Sequence, residues 1–553
     1  MKSTYRLLLV TLPLTFLAVF YFFPLSRIFF VSLSGEQEFG PGIFHRLTGT
    51  GIYAKVLWFT TWQAAVSTML TLLLALPGTY VFARYRFPGK KLLRAFTTVP
   101  FVLPTVVVAA AFQSLLGADG LINKGLMTVL GLNTPVIRMD QSIWFILLAH
   151  VFYNYTVILR IVGSFWANLE PAMADAARML GASSWQVFWK ITLPLLRPAL
   201  LAAGLLVFVF CFSSFGVILI LGGPRMATIE VEIYRQAVHL FNLPMAAALS
   251  LIQIIFTFGL MWIYTWLQKK SSVPLNPDFR AATRLFTTSP KDRLIVWGNL
   301  ALMLILLGLP LIALVASSFL TDSGFSGLYY TALFDNKDQS LFFVPPLDAV
   351  VNSVGFALTT LMIALILGTL AAAFLSGPKD RLASILDPVF MLPLSTSAVT
   401  LGFGFIIALD KPPLNLRTSL MLVPLAHALV AFPFVVRSLL PAMRSIPDNL
   451  REAAALLGAS PRKVWQSVDL PIIGRALVVG AVFAFTVSLG EFGATMFVAR
   501  PQTPTMPLAI YRFLGQPGSI NYGQAMAMSS ILMFVTAAGF LLLEKFRTGS
   551  GEF

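Results

Sequence analysis

Twelve stretches of this chain are long and apolar enough to cross a bilayer as helices, and that constrains its folding more than any single motif. They fall near residues 7–33, 58–83, 96–117, 142–166, 198–221 and 244–267, then 294–319, 351–376, 385–409, 419–443, 476–498 and 525–543. A span needs about 20 mostly apolar residues to cover roughly 30 Å of hydrocarbon. Inside lipid the backbone must satisfy its own polar groups, which helices do within one segment. The chain is 57% hydrophobic and only 11% charged, with a mean hydropathy of +0.82, far from the composition of soluble domains. These features predict an all-α polytopic membrane protein. Leu7 to Phe23 has the length of a signal-peptide core, but the eleven apolar stretches after it favour an uncleaved first span. Pro13, Pro24, Pro104 and Pro310 predict kinks.

Basic residues set the orientation, because cytoplasmic loops collect Lys and Arg. Alternate connections hold Lys2 and Arg6, Arg84 to Arg94, Arg178 to Arg197, Lys269 to Arg293, Lys379 and Arg381, Arg444 to Arg475, and Lys545 and Arg547; together they carry 25 of the 39 Lys and Arg. The opposite connections carry few basics and several acids, among them Asp322, Asp335, Asp338 and Asp348. Both termini are therefore expected in the cytoplasm. This topology accounts for the net charge of +16, so no nucleic-acid partner is implied. The single cysteine, Cys211, excludes an internal disulfide and a cysteine metal cluster.

The stretch DAARMLGAS (Asp175 to Ser183) returns as EAAALLGAS (Glu452 to Ser460). The same offset of 277 relates Arg160 to Arg437, Leu193-Pro194 to Leu470-Pro471, Phe215-Gly216 to Phe492-Gly493 and Tyr234-Arg235 to Tyr511-Arg512. This is an internal duplication. Six spans separate the copies, so the two halves run parallel about an axis along the membrane normal. The units read as 1–268, a cytoplasmic linker 269–292 containing Pro274, Pro277 and Pro290, 293–547, and a polar tail 548–553 excluded from function.

Both copies of the repeated stretch fall in basic connections, between the fourth and fifth span of each half. Residues Pro171 to Leu180 and Asp448 to Leu457 suit a short helix with an acid in its early turns, alanines next, and Gly181 or Gly458 where a left-handed cap forms most easily. One such helix alone reads equally well as an amphipathic surface helix. Two at equivalent positions favour a docking element whose small alanines let a partner's backbone come close.

These residues resemble a known family. Asp175-Ala176-Ala177 with Gly181, and Glu452-Ala453-Ala454 with Gly458, each followed by Leu-Pro, resemble the "EAA" loops of permease subunits in binding-protein-dependent ABC importers. The fused form with AHVFYNY at Ala149 to Tyr155 is most similar to the ferric-iron and thiamine type, whereas GEFGAT at Gly490 to Thr495 also resembles sulfate and molybdate permeases. Asp175 departs from the pattern by replacing Glu, which leaves room for unequal docking at the two sites. The resemblance implies a multi-pass protein of a bacterial or archaeal plasma membrane in which each loop seats in one of two ATP-binding subunits. It also implies an extracytoplasmic solute-binding protein, and no cofactor in this chain, with ATP used by the partner subunits. The sequence agrees in lacking a G-x-x-x-x-G-K-[ST] phosphate loop; Gly89-Lys90-Lys91 has Arg84 where the first glycine belongs and no Ser or Thr after the lysine.

Two rivals remain from the residues. A proton- or ion-coupled secondary transporter is also built from six-plus-six helices, and His150, His427 and Glu491 would suit a proton relay. A membrane enzyme is disfavoured because His45, His150, His239 and His427 have no metal-ligand spacing and no G-x-S-x-G elbow is present. Glu491 is expected about 10 Å below the far end of the eleventh span, level with His427 in the tenth and with His150 at the equivalent place in the first half. One reading is a static hydrogen bond between helices. The other is a translocation path lined by Glu491 and His427 on one side, and by His150 and the Glu491 counterpart Ser214 on the other.

Overall fold

In the computed structural model the described residues are 3–33, 49, 51–169, 171–271, 285–286, 289–335, 344–377, 380–410, 412 and 414–547. Most of the linker, with Pro274 and Pro277, and the tail 548–553 lie outside them. The first half is built from α1 (Ser3–Leu17), α2 (Phe23–Leu33), α3 (Ile52–Arg84), α4 (Lys90–Val102), α5 (Thr105–Leu116), α6 (Leu121–Leu130), α7 (Ile143–Ala167), α8 (Pro171–Met179), α9 (Ser184–Val187), α10 (Leu193–Phe212), α11 (Gly216–Leu221), α12 (Ile229–Tyr234) and α13 (Leu243–Ser271). The second half follows with α14 (Pro290–Phe319), α15 (Leu328–Thr331), α16 (Pro346–Ser376), α17 (Arg381–Met391), α18 (Ala398–Leu409), α19 (Leu422–Arg444), α20 (Asp448–Leu456), α21 (Pro461–Val464), α22 (Leu470–Gly490), α23 (Thr495–Val498), α24 (Met506–Leu514) and α25 (Ser519–Arg547). From α8 onward the halves match almost residue for residue at the offset of 277.

Among the described residues, 11 helices are long and apolar enough to span a membrane, and a bent pair, α17 with α18, makes up to 12. The all-helical, many-span reading holds, with three corrections to the spans. The expected helix 96–117 breaks at Leu103-Pro104, where both residues have extended ψ values of 141° and 142°. A proline disfavours helical geometry in the residue before it and cannot donate to the ladder. Its counterpart 385–409 bends by 95° between α17 and α18. The expected spans 198–221 and 476–498 both stop early, at Phe212 and Gly490, and the chain then folds back through α11–α12 and α23–α24 before leaving again.

Proline also explains three wide turns. The π-helical turns Ala18–Phe22, Phe188–Thr192 and Trp465–Asp469 each end two residues before a proline, at Pro24, Pro194 and Pro471. The missing proline N–H and the bulk of its ring are accommodated by widening the turn ahead of it. Pro310, by contrast, sits within the unbroken α14.

Each half has a three-helix centre, α3 with α7 and α10, and α16 with α19 and α22. The leading helices are exchanged: α1 packs on α16 and α2 on α18, while α14 packs on α5 and α3. The linker also crosses over, since β2 (Leu285–Phe286) pairs in parallel with β1 (Tyr85–Arg86), and the Tyr85 hydroxyl donates to Asp292 at 3.0 Å. Glycine lets elements within each half approach closely. A methyl at Gly216 would strike the Thr105 side chain, and one at Gly402 would meet the Ala494 Cα at 2.8 Å.

Candidate functional site

The repeated loops form two matching helices, α8 and α20, at the basic end of the bundle, where Arg84 lies within electrostatic reach of Asp175 and Arg178. Each ends on a glycine with positive φ, +87° at Gly181 and +82° at Gly458. The next amide reaches back across the turn, Ala182 N–H to Ala177 O and Ala459 N–H to Ala454 O, both at 3.0 Å. That six-to-one closure satisfies an end carbonyl and needs the left-handed residue that glycine supplies. Asp175, Ala176, Glu452 and Ala453 are exposed, and Ala177 and Ala454 half-buried. Just before each glycine a bare apolar pair stands in the open, Met179-Leu180 and Leu456-Leu457, each residue 88–89% exposed. A groove of about 360 Å³ opens beside Ala177, Gly181 and Lys190 in the first copy.

Within the bundle the two predicted histidines occupy equivalent buried nodes. His150 joins Ser67 through Nδ1 and Ser214 through Nε2, both at 2.9 Å. His427 joins Ser488 through Nδ1 and Thr495 through Nε2, both at 2.8 Å, with the Glu491 carboxylate 3.4 Å from Nε2. Glu491 thus meets His427, while both ring nitrogens of His150 are engaged by Ser67 and Ser214. Glu491 is not inside a span as expected: α22 ends at Gly490 and Glu491 is the extended residue after it. Its carboxylate accepts the amides of Ala494 and Thr495 at 2.9 Å and the Thr495 hydroxyl at 2.6 Å, so it closes the N-terminus of α23.

On the midline the halves meet through aromatic rings. Phe215 faces Phe492 with centroids 5.7 Å apart, and each lies 5.6 Å from the tyrosine of its own half, Tyr234 and Tyr511. Phe215 and Phe492 follow the ends of α10 and α22 that lead away from the basic connections, and Tyr234 and Tyr511 lie on α12 and α24.

Two buried acids escaped the sequence reading. Glu230 and Glu232, each 1% exposed, sit on α12. Gln253 donates to Glu230 at 3.0 Å, and Ser397 of the second half lies near it. Gln236 donates to Glu232 at 2.7 Å, and Arg235 Nε lies 3.2 Å from it. The available signal was the alternation IEVEIY in a segment too short to span, since acids at membrane depth need partners. Among the described residues no cluster of His, Cys, Asp or Glu has the arrangement of a metal site.

The family model for the binding-protein-dependent transport system inner membrane component matches twice, at residues 72–273 and 364–546. The chain is similar to the thiamine transport system permease protein of Brucella abortus (strain 2308), 27% identical over 534 residues that cover 94% of both chains. It is also similar to the protein of that description from Escherichia coli (strain K12), 27% identical over 504 residues, 89% of this chain and 88% of the relative. A chain of the crystal structure of a bacterial alginate ABC transporter, in complex with alginate pentasaccharide-bound periplasmic protein, aligns with 48% of this chain and 94% of its own length, at 17% identity and a TM-score of 0.38.

Proposed function

The chain belongs to the inner-membrane components of binding-protein-dependent transport systems, and from that premise we propose that it imports thiamine or a close chemical relative, powered by two separate ATPase subunits. As a multi-pass inner-membrane permease it carries the solute and is not itself an enzyme. The observation that carries the docking assignment is the pair α8 and α20, whose bare apolar residues and small alanines stand at one end of the bundle. Asp175, Ala176, Ala177 and Gly181, with Glu452, Ala453, Ala454 and Gly458, form the two seats, one ATPase to each. One chain therefore contributes both permease units, 1–268 and 293–547, joined through 269–292, with both termini and both seats in the cytoplasm. ATP is used in the partner subunits, and this chain needs no cofactor of its own.

The aromatic contact of Phe215, Phe492, Tyr234 and Tyr511 forms the outer closure, so this conformation is shut toward the side from which a binding protein delivers solute. Closure of the ATPases on α8 and α20 pulls the halves apart there. The thiamine assignment is supported by similarity along nearly the whole chain to thiamine permeases of the same fused form.

Reconstitution with the ATPase and the binding protein tests this reading. Thiamine uptake into vesicles should require both ATP and the binding protein and should survive an uncoupler; uptake abolished by the uncoupler with ATP present means a secondary transporter. Ala177→Trp and Ala454→Trp should each remove ATPase from the purified complex while membrane expression stays normal, because the added bulk falls on the partner contact. Normal ATPase recovery in both variants would remove the docking assignment.

A further inference from the structure

At the end of the bundle opposite α8 and α20, a cleft of about 550 Å³ opens between the halves. That volume lies within the range of small-molecule sites, about 300–1,000 Å³. Three carboxylates line it, Asp119 and Asp140 from the first half and Asp322 from the second, against one cation, Lys124. None of the three takes part in an ion pair among the described residues. In a chain of net charge +16, this is a local reversal of sign.

Two further residues of the cleft wall carry hydroxyls with no hydrogen-bond partner among the described residues. The Tyr522 hydroxyl is buried and unbonded. Ser317, 8% exposed, lines the cleft with a hydroxyl that makes no hydrogen bond. Buried polar groups are nearly always satisfied, so the orphaned Tyr522 hydroxyl beside the cleft marks where a ligand's polar atom or its water belongs. Asp140 is fixed by the Ala118 amide, which donates to it at 2.9 Å. Burial raises the Asp140 carboxyl above its ordinary value; the Ala118 amide opposes the rise and Asp119 adds to it. An arriving positive charge relieves that repulsion.

The three carboxylates line a cleft of about 550 Å³, and no grouping of His, Cys, Asp or Glu that could hold a metal ion occurs among the described residues. The fitting ligand is therefore an extended cation, larger than an ion. The repeat does not supply the whole of this cleft twice. Its wall includes α6 and residues 117–142, whereas the equivalent connection in the second half is the short run 410–421. An insertion that adds acids in front of unpaired hydroxyls is not needed to hold the bundle together.

We propose that this cleft is a binding site for an organic cation on the outer face of the permease, a waiting position for a positively charged solute. The assignment of the face rests on the importer reading; the site itself does not. Thiamine carries a permanent positive charge on its thiazolium ring, so it serves as the first probe, with choline as a cation of unrelated skeleton and thiochrome as the neutral oxidised form of thiamine.

The test is equilibrium binding to the purified full chain in lipid nanodiscs, without ATPase or binding protein. Thiamine should bind saturably, Asp119→Asn with Asp322→Asn should weaken it by about tenfold or more, and raised salt should weaken it further. Tyr522→Phe removes a hydroxyl that has no protein partner, so the fold should survive while affinity falls. Thiochrome should bind wild type and the double variant equally. Choline binding that depends on the aspartates, with no thiamine binding, upholds the cleft and removes the thiamine reading. Thiamine affinity unchanged in the double variant overturns the cleft, even where ATP-driven thiamine uptake is intact. So does the absence of saturable binding of both thiamine and choline to wild type.

Discussion

His150 and His427 hold the same place in their halves, yet their surroundings differ in charge. In the first half the ring bridges two hydroxyls, Ser67 and Ser214, and ties α3 and α7 to the end of α10 with neutral hydrogen bonds. In the second half the ring bridges Ser488 and Thr495 and faces a carboxylate where the first half has Ser214. The acid changes the backbone beside it. α11 starts at Gly216, but α23 starts at Thr495, two positions later than the offset requires, because the Glu491 carboxylate takes the amides of Ala494 and Thr495. The histidine clasp is thus shared architecture, and the second half adds a buried charge to it. A buried carboxylate persists only where several donors meet it, and here two amides, a hydroxyl and an imidazole do so.

Removing each histidine should separate the two nodes most. His427→Ala leaves the carboxylate without its counter-group, a change that typically costs about 3–5 kcal/mol. His150→Ala strands only hydroxyls, at about 1–3 kcal/mol. Thermal unfolding in one detergent should therefore show a clearly larger drop in midpoint for His427→Ala. Equal drops would mean that the carboxylate contributes no charge to its node.

Glu491→Gln is the next step down. The amide keeps the shape and one acceptor oxygen but loses the charge-assisted bonds to the α23 amides, at an expected cost of about 1–3 kcal/mol. If the carboxylate is a cap, transport should fall only as far as stability does. Transport lost with the unfolding midpoint unchanged would place Glu491 on the solute path and end the cap account.

The clasp also marks what could be read ahead of the structure. α8 and α20 were legible because their determinants are local: alanines, an early acid, and a glycine where the chain must turn left-handed. The match of His150 with His427 followed from the constant offset alone. Glu491 was misplaced because hydropathy runs on through Ser488, Leu489 and Gly490 to Val498, with no proline to mark that α22 ends. Pro104 was read as a kink, whereas two consecutive extended residues there turn one span into two helices. The exchange of α1 and α14 between halves left no trace in the sequence, because an apolar helix that packs on a neighbour and one that faces lipid have the same composition. Glu230 lies on α12, a segment too short to be noticed as a span, and its partner Gln253 lies 23 residues further on, in α13.

The smallest expected effect concerns the two docking helices. In the second half Arg451 Nε meets Asp469 at 2.8 Å and ties α20 to the turn that leads into α22. The equivalent residues in the first half are Ala174 and Thr192, and among the described residues its nearby ion pair, Asp175 with Arg178, lies within α8 itself, with both side chains more than half exposed. The second helix therefore carries a tether to the following turn that the described residues of the first do not. The Arg451 side chain is 36% exposed and that of Asp469 16%, so screening keeps the pair near the value of surface ion pairs, about 0.5–1 kcal/mol. A stabilisation of that size slows local opening by about two- to fivefold. Arg451→Ala should raise amide exchange across residues 448–457 by that factor, and the rise should shrink in high salt. Grafting the pair, Ala174→Arg with Thr192→Asp, should slow exchange across 171–180 by a similar factor. Exchange in 448–457 that ignores both Arg451→Ala and salt would show that the ion pair does not hold α20, and would remove the tether as a difference between the two docking helices.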